Sequence, residues 1–338
     1  MRRNRAVPAG EVRRFTMESR VLAGNLLGDP TAREIHLYLP PGWNGSAPLP
    51  LLVDLVGFTA GGPAHTNWKA FTENVPERLD RLIGGGKMAP VAVAFPDCYT
   101  RLGGNQYVNS AAMGAWEDFL LGEAVPFVEA QVPCGGPGRR GVFGKSSGGY
   151  GSMVHAMRHA GFWSAAACHS GDMGFELCYM ADMPNTLNEL VKHGRSIEKF
   201  IGHFEHSNKP KEKETEALMM LAMAATYDPD PTQFLGIRLP VDLETCAPIA
   251  ERWANWLRHD PVRMADAHAG NLRGLKGLYI DCGSEDQFHL QYGARQLHQA
   301  LERLGVPHEY QEFPDDHTAV DYRMDVSLPF LARALTQA

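Results

Sequence analysis

The sequence predicts an α/β fold, a mostly parallel central sheet with helices on both faces. Three observations lead there. Short apolar runs alternate along the chain with stretches of helical spacing. At residues 139–159 one such run feeds directly into a helix through a turn rich in glycine and serine. And 338 residues are enough to build one large sheet with a substantial core.

In chain order, Ile35, Leu37 and Leu39 alternate with polar neighbours and run into Pro40-Pro41-Gly42, the pattern of a half-buried strand ending at a turn. Residues 49–57 (LPLLVDLVG) and 90–95 (PVAVAF) are near-continuous apolar runs, which suit strands covered on both faces. Between them, 68–84 carries helical spacing. A helix is expected over 116–130, kinked by Pro126. A strand over 139–144 and a helix over 149–159 follow, then a buried strand over 164–170. Strands at 277–283 and 308–313 flank a helix marked by Leu297, Leu301 and Leu304 and closed by Gly305. A closing helix spans 319–335, interrupted near Pro329.

Residues 173–271 break the alternation. They hold helical stretches at 187–193, 197–204, 215–227 and 243–257 and no clear strand, so they are expected to form a helical cap or lid on a single domain spanning 1–338.

With 44% hydrophobic and 21% charged residues, the composition is that of a soluble globular protein. The net charge of -7 and the lack of a basic stripe argue against a nucleic-acid partner. The N-terminal arginines precede no apolar stretch, and no run is long enough to span a membrane, so a cytoplasmic location is expected. The six scattered cysteines read as reduced, buried thiols. No nucleotide-binding glycine pattern stands where it would need to, and His203 with His206 supplies too few ligands for a metal. No cofactor is expected. The expected partner is a small-molecule ester, with self-association left open.

The chemistry centres on Gly144-Lys145-Ser146-Ser147-Gly148, a G-x-S-x-G pattern. A sharp turn from strand to helix forces its central serine into a strained conformation, and side chains at the flanking glycines would collide. Ser146 is therefore the candidate nucleophile, projecting at a helix N-terminus that favours developing negative charge. The backbone N–H of Ser147 is one candidate oxyanion donor. A serine needs a base and the base an orienting acid, and in this α/β-hydrolase arrangement they follow in the order Ser, acid, His on loops after later strands. Glu285 and Asp286 follow the strand at 277–283, with Asp286 preferred. His317 follows the last strand and is the candidate base, beside Asp315 and Asp316, which read as solvated loop charges. The glycine-rich loop at 56–62 offers the backbone N–H of Phe58 as the second oxyanion donor. Met219, Met220 and Met223 read as packing between cap and core, and Trp116 as core before acyl-pocket wall.

With these pieces in place the chain resembles the putative-esterase, or esterase D, family of α/β-hydrolases, which includes S-formylglutathione hydrolases, enterochelin esterases, feruloyl esterases and mycolyltransferases. The resemblance rests on IHLYLPPGW (35–43), YVNSAAMGAWEDFLLGEAVPFVE (107–129), GKSSGGYGSM (144–153), DCGSEDQF (281–288) and the DDH ending at His317. It implies a serine esterase with Ser146, Asp286 and His317 as triad and Phe58 and Ser147 as oxyanion donors. Two departures stand out: Ala60 occupies a position where S-formylglutathione hydrolases typically carry cysteine, and Lys145 one where histidine is frequent. An acyltransferase or thioesterase would use the same residues. A peptidase or a non-catalytic binding module on this scaffold are more distant rivals.

Overall fold

The computed structural model describes residues 7–337. The chain runs β1 (Glu11–Glu18), β2 (Ala32–Leu39), β3 (Leu51–Leu55), α1 (Val75–Gly84) and β4 (Ala92–Pro96), then a small hairpin of β5 (Asn109–Ser110) and β6 (Gly114–Ala115). A helical stretch follows: α2 (Trp116–Asp118), a π-helical segment (Phe119–Ala124) and α3 (Val125–Gln131). Next come β7 (Arg140–Lys145), α4 (Ser147–Arg158) and β8 (Ala165–His169). Helices α5 (Phe175–Cys178), α6 (Met183–Val191), α7 (Ile197–His206), α8 (Glu212–Tyr227), α9 (Ala250–Leu257) and α10 (Pro261–Arg273) separate β8 from β9 (Gly277–Gly283). The chain closes with α11 (Leu290–Arg303), β10 (Glu309–Phe313) and α12 (Met324–Thr336).

Among the described residues, eight strands form one sheet in the order β1-β2-β4-β3-β7-β8-β9-β10. β2 pairs antiparallel with both β1 and β4, and every other pairing in that sheet is parallel. The expected sheet, mostly parallel with helices on both faces, is present. Side-chain alternation explains how it divides the core. Leu51, Val53 and Leu55 of β3 pack into one apolar cluster with Met153, Val154 and Met157 of α4. Leu52, facing the other way, joins Leu79 of α1 and Leu328 and Leu331 of α12. Parallel strands present their C-terminal ends together, so the loops after β3, β7, β9 and β10 open on one edge.

Where local expectation and structure differ, the reasons are physical. β1, not expected from the sequence, is an edge strand whose alternation is faint: Phe15 and Met17 are partly buried against the core, between exposed Arg14, Thr16 and Glu18. The helix expected from residue 68 begins at Val75. The Asn74 side chain accepts from the Glu77 N–H at 2.8 Å, and the Glu77 carboxylate accepts from the Asn74 N–H at 3.2 Å. That reciprocal cap fixes the start and leaves Trp68 and Phe71 exposed. The fourth helical stretch of the insertion starts only at Ala250, after Pro248. The kink expected at Pro126 takes the form of the π-helical segment just before it, which accommodates a residue unable to donate an N–H. Pro329, expected to interrupt the last helix, instead lies inside an unbroken and buried α12.

The packing of α4 makes stability sensitive to acid. His155 is fully buried; its Nε2 meets the Tyr107 carbonyl at 2.7 Å, and its Nδ1 accepts from the Trp163 indole N–H at 3.2 Å. That pairing suits a neutral ring with its proton on Nε2, and burial pushes the imidazole down to about 4. Burial, reinforced by Arg158, pushes His259 down to about 4 as well. Between pH 6.5 and 4 the unfolded chain therefore takes up protons that the folded chain does not. Their stabilising contribution is complete above pH 6.5 and declines as pH falls, by about 3 kcal/mol at pH 4 for His155 alone. Urea unfolding followed from pH 7 to 4.5 is expected to show this decline, with a shallower slope in His155→Gln.

Candidate active site

Ser146 occupies the turn between β7 and α4 with φ 58° and ψ -124°, a conformation that residues with side chains rarely adopt. Its backbone is held on both sides: its N–H donates to the His169 carbonyl at 2.9 Å, and its carbonyl accepts from the Tyr150 N–H at 2.9 Å. The flanking glycines are required by space. A side-chain carbon at Gly144 or Gly148 would overlap the Leu55 carbonyl oxygen of the neighbouring strand. Ser147 is the first residue of α4, so its N–H has no carbonyl partner within the helix.

The structure brings His317 to Asp286. The ring Nδ1 lies 2.7 Å from the Asp286 Oδ2, and the His317 N–H donates to the Gln287 side-chain carbonyl at 3.0 Å. The other Asp286 oxygen accepts from the Phe288 N–H at 2.9 Å, and the residue is 2% exposed. Glu285 is exposed. Asp315 and Asp316 accept hydrogen bonds within their own loop and from Tyr322. The residue preferred from sequence thus sits at the ring. Ser146 and His317 edge one cavity of about 500 Å³, together with Phe58. Among the described residues no hydrogen bond joins the serine hydroxyl to the ring.

The loop after β3 abuts the serine, since a side-chain carbon at Gly57 would stand 3.5 Å from the Ser146 Cβ. Its shape is set from the far side of the chain. The Tyr107 hydroxyl donates to the Val56 carbonyl at 2.6 Å, and the Gly104 N–H to the Phe58 carbonyl at 2.6 Å. Gly104 has no room for a side chain, because an added carbon would meet the Phe58 backbone at 2.6 Å.

Two other histidine–aspartate pairs lie nearby. His169 is 2% exposed, with Nδ1 2.7 Å from Asp281 and Nε2 2.8 Å from the Ser327 hydroxyl, so both ring nitrogens are occupied. His65 is different: its Nδ1 lies 2.7 Å from Asp54, and the ring lines the Ser146 cavity. Burial opposes a charge on His65, but the Asp54 carboxylate outweighs it and raises the imidazole above its usual range. Lys69 binds Asp321 at 2.6 Å beside it. Lys145 lines the same wall, where burial lowers its ammonium against the pull of Asp321 and Asp286.

The opposite wall comes from α8, which contributes Glu212, Thr215, Glu216 and Met219. Met220 and Met223 are buried in the core, so of the three methionines Met219 alone edges this cavity. Trp116 is core, its indole N–H donating to the Met113 carbonyl at 2.9 Å. Sequence reasoning missed His65, Tyr107 and the residues below Ser146. One signal was available for the first: Asp54 is a lone charge inside the apolar run LPLLVDLVG, and a buried charge needs a partner. Among the described residues no group of His, Cys, Asp or Glu is placed to hold a metal, and no helix is long and apolar enough to cross a membrane.

This sheet and its strand-to-helix turn at a strained serine define an α/β-hydrolase. A family model described as "Putative esterase" matches residues 30–328, and the chain belongs to that family. Membership makes it a carboxylic-ester hydrolase. No curated protein matches the sequence. Solved structures do. A ferulic acid esterase superposes with a TM-score of 0.63 at 18% identity, covering 96% of this chain and 99% of the other. S-formylglutathione hydrolase (FrmB) from Staphylococcus aureus gives 0.59 at 15% identity, covering 96% and 99%. The feruloyl esterase module from Clostridium thermocellum gives 0.57 at 13% identity, covering 98% and 90%. At these identities the likeness is one of fold.

Proposed function

We propose that the protein is a serine esterase working through an acyl-enzyme, with Ser146 as nucleophile, His317 as base and Asp286 as the orienting acid. His317 takes the Ser146 proton as the hydroxyl attacks the ester carbonyl. The N–H groups of Phe58 and Ser147 hold the oxyanion, and His317 then protonates the departing alcohol. Water activated by His317 releases the acid. The observation that carries this reading is a single one: a serine on a strained turn and a histidine anchored to a buried aspartate edge the same cavity. The serine–histidine hydrogen bond is expected to close when substrate displaces solvent, as such bonds often tighten only in the complex.

Residues 173–271 serve in this reading as the cap of a single domain. The four α8 residues on the cavity wall support that role, whereas α10, packed on α4 and α11, braces the core. The six cysteines are free, which suits a reducing cytoplasm.

The test is labelling with a fluorophosphonate, followed by mapping of the modified peptide. Modification of Ser146, together with turnover of 4-nitrophenyl esters and none of peptide anilides, is the expected result. An unlabelled protein would return the chain to the non-catalytic rivals. Transfer of the acyl group to added alcohols or thiols, read by product analysis, would shift it to an acyltransferase.

A further inference from the structure

Below Ser146 lies a second, smaller cavity of about 30 Å³, lined by Ser146, Asp172, Cys178, Tyr179, Phe288 and Leu290 with Met219 at its edge. Its walls are apolar apart from the serine, the Tyr179 hydroxyl and one carboxylate. Asp172 follows β8 and is 7% exposed. Its Oδ2 accepts from the Gln106 side-chain N–H at 2.7 Å and from the Tyr179 hydroxyl at 2.8 Å. Among the described residues neither hydrogen bond nor ion pair engages its Oδ1, and no Lys or Arg pairs with it. Burial accordingly raises this carboxyl above its usual range, against the two hydrogen bonds. A buried carboxylate with one oxygen held by two donors and the other turned free beside a nucleophile is costly unless a ligand completes it.

Which part of an ester would reach it follows from the positions of the catalytic groups. In the esterase reading, on which this inference rests, His317 must protonate the leaving alcohol, and His317 lines the large cavity but not the small one. The alcohol therefore departs into the large cavity, and the substituent on the acyl carbon points into the small one. A space of 30 Å³ holds about two atoms of water size. We propose that this cavity is an acyl subsite selecting short acyl groups that carry a hydrogen-bond donor, a hydroxyl or an ammonium, on the first carbon beyond the carbonyl, and that Asp172 is the specificity-determining residue. Hydrolysis there releases the corresponding short hydroxy or amino acid, with water supplying the oxygen and proton.

Three 4-nitrophenyl esters of nearly equal size test it: propionate, glycolate and glycinate, which place a methyl, a hydroxyl or an ammonium at the same position. Each kcat/KM is divided by that ester's hydroxide-catalysed rate to remove intrinsic reactivity. The wild-type protein is expected to favour at least one donor-bearing ester over propionate by about tenfold or more. Whichever of the two carries the preference identifies the donor. Asp172→Asn retains an oxygen for Gln106 and Tyr179 and so turns its NH2 toward the cavity, a donor where an acceptor stood. The preference ratio is expected to fall to about one or below. A wild-type protein that favours neither donor-bearing ester over propionate, one that the fluorophosphonate labels but that turns over none of the three, or a ratio unchanged in Asp172→Asn overturns the proposal, and the wild-type comparison needs no variant. Turnover of none of the three by a protein that also resists the fluorophosphonate would instead sink the esterase reading beneath it.

Discussion

Ser146→Ala is expected to lower ester turnover on the order of a million-fold and to abolish fluorophosphonate labelling, while leaving the fold and its unfolding midpoint close to those of the parent. The size of the loss follows from the role proposed. Without the hydroxyl there is no acyl-enzyme, and what remains is the stabilisation that the oxyanion donors and binding give to direct attack by water, roughly 10³ to 10⁴ over solution. The stability expectation is separate and equally definite. Alanine keeps the Cβ, so the strain at φ 58° is neither relieved nor increased. The backbone bonds to His169 and Tyr150 do not involve the side chain. Among the described residues the serine hydroxyl makes no hydrogen bond whose loss could unfold the chain. Activity is measured with a 4-nitrophenyl ester and folding by circular dichroism in urea. Near-normal turnover in this variant would refute Ser146 as nucleophile. A collapse of the fold would mean that the turn depends on the hydroxyl in a way its contacts do not suggest.

The features readable from sequence were those written in contiguous residues. The turn at Ser146 is local: a strand, two obligatory glycines and a helix start within a dozen positions. The loops carrying Asp286 and His317 are equally local, each a strand end followed by a short polar segment, so order along the chain sufficed to nominate them. What stayed hidden is made only by tertiary approach. Gln106 meets Asp172, Tyr107 meets Val56 and Asp54 meets His65 through loops that no periodicity orders. β1 was silent for a related reason: as an edge strand it sends Phe15 and Met17 of its inner face to the core, and both stay only partly buried among charged neighbours. Pro329 misled because its missing donor was weighed against the helix, whereas burial of the surrounding α12 residues outweighs one lost hydrogen bond.

The cavity contains two histidines anchored to aspartates, so the base can be assigned by substitution. His317→Ala is expected to cost on the order of 10⁶-fold in kcat, and Asp286→Asn about 10⁴-fold, because asparagine would hold the ring in the wrong tautomer. His65→Gln is expected to cost less than about tenfold. The distinction rests on position. His65 approaches from the 3-10 turn Gly62–Thr66 after β3, on the side of Gly57 and Phe58, whereas His317 follows β10 and stands beside Asp286. The pH profile of kcat/KM separates the two further. A single ascending limb should survive in His65→Gln, because the group that must lose its proton is then still present. If His65→Gln instead matched His317→Ala in its loss, the proposed roles would exchange, and the chain would reach its base through the loop after β3 rather than the loop after β10.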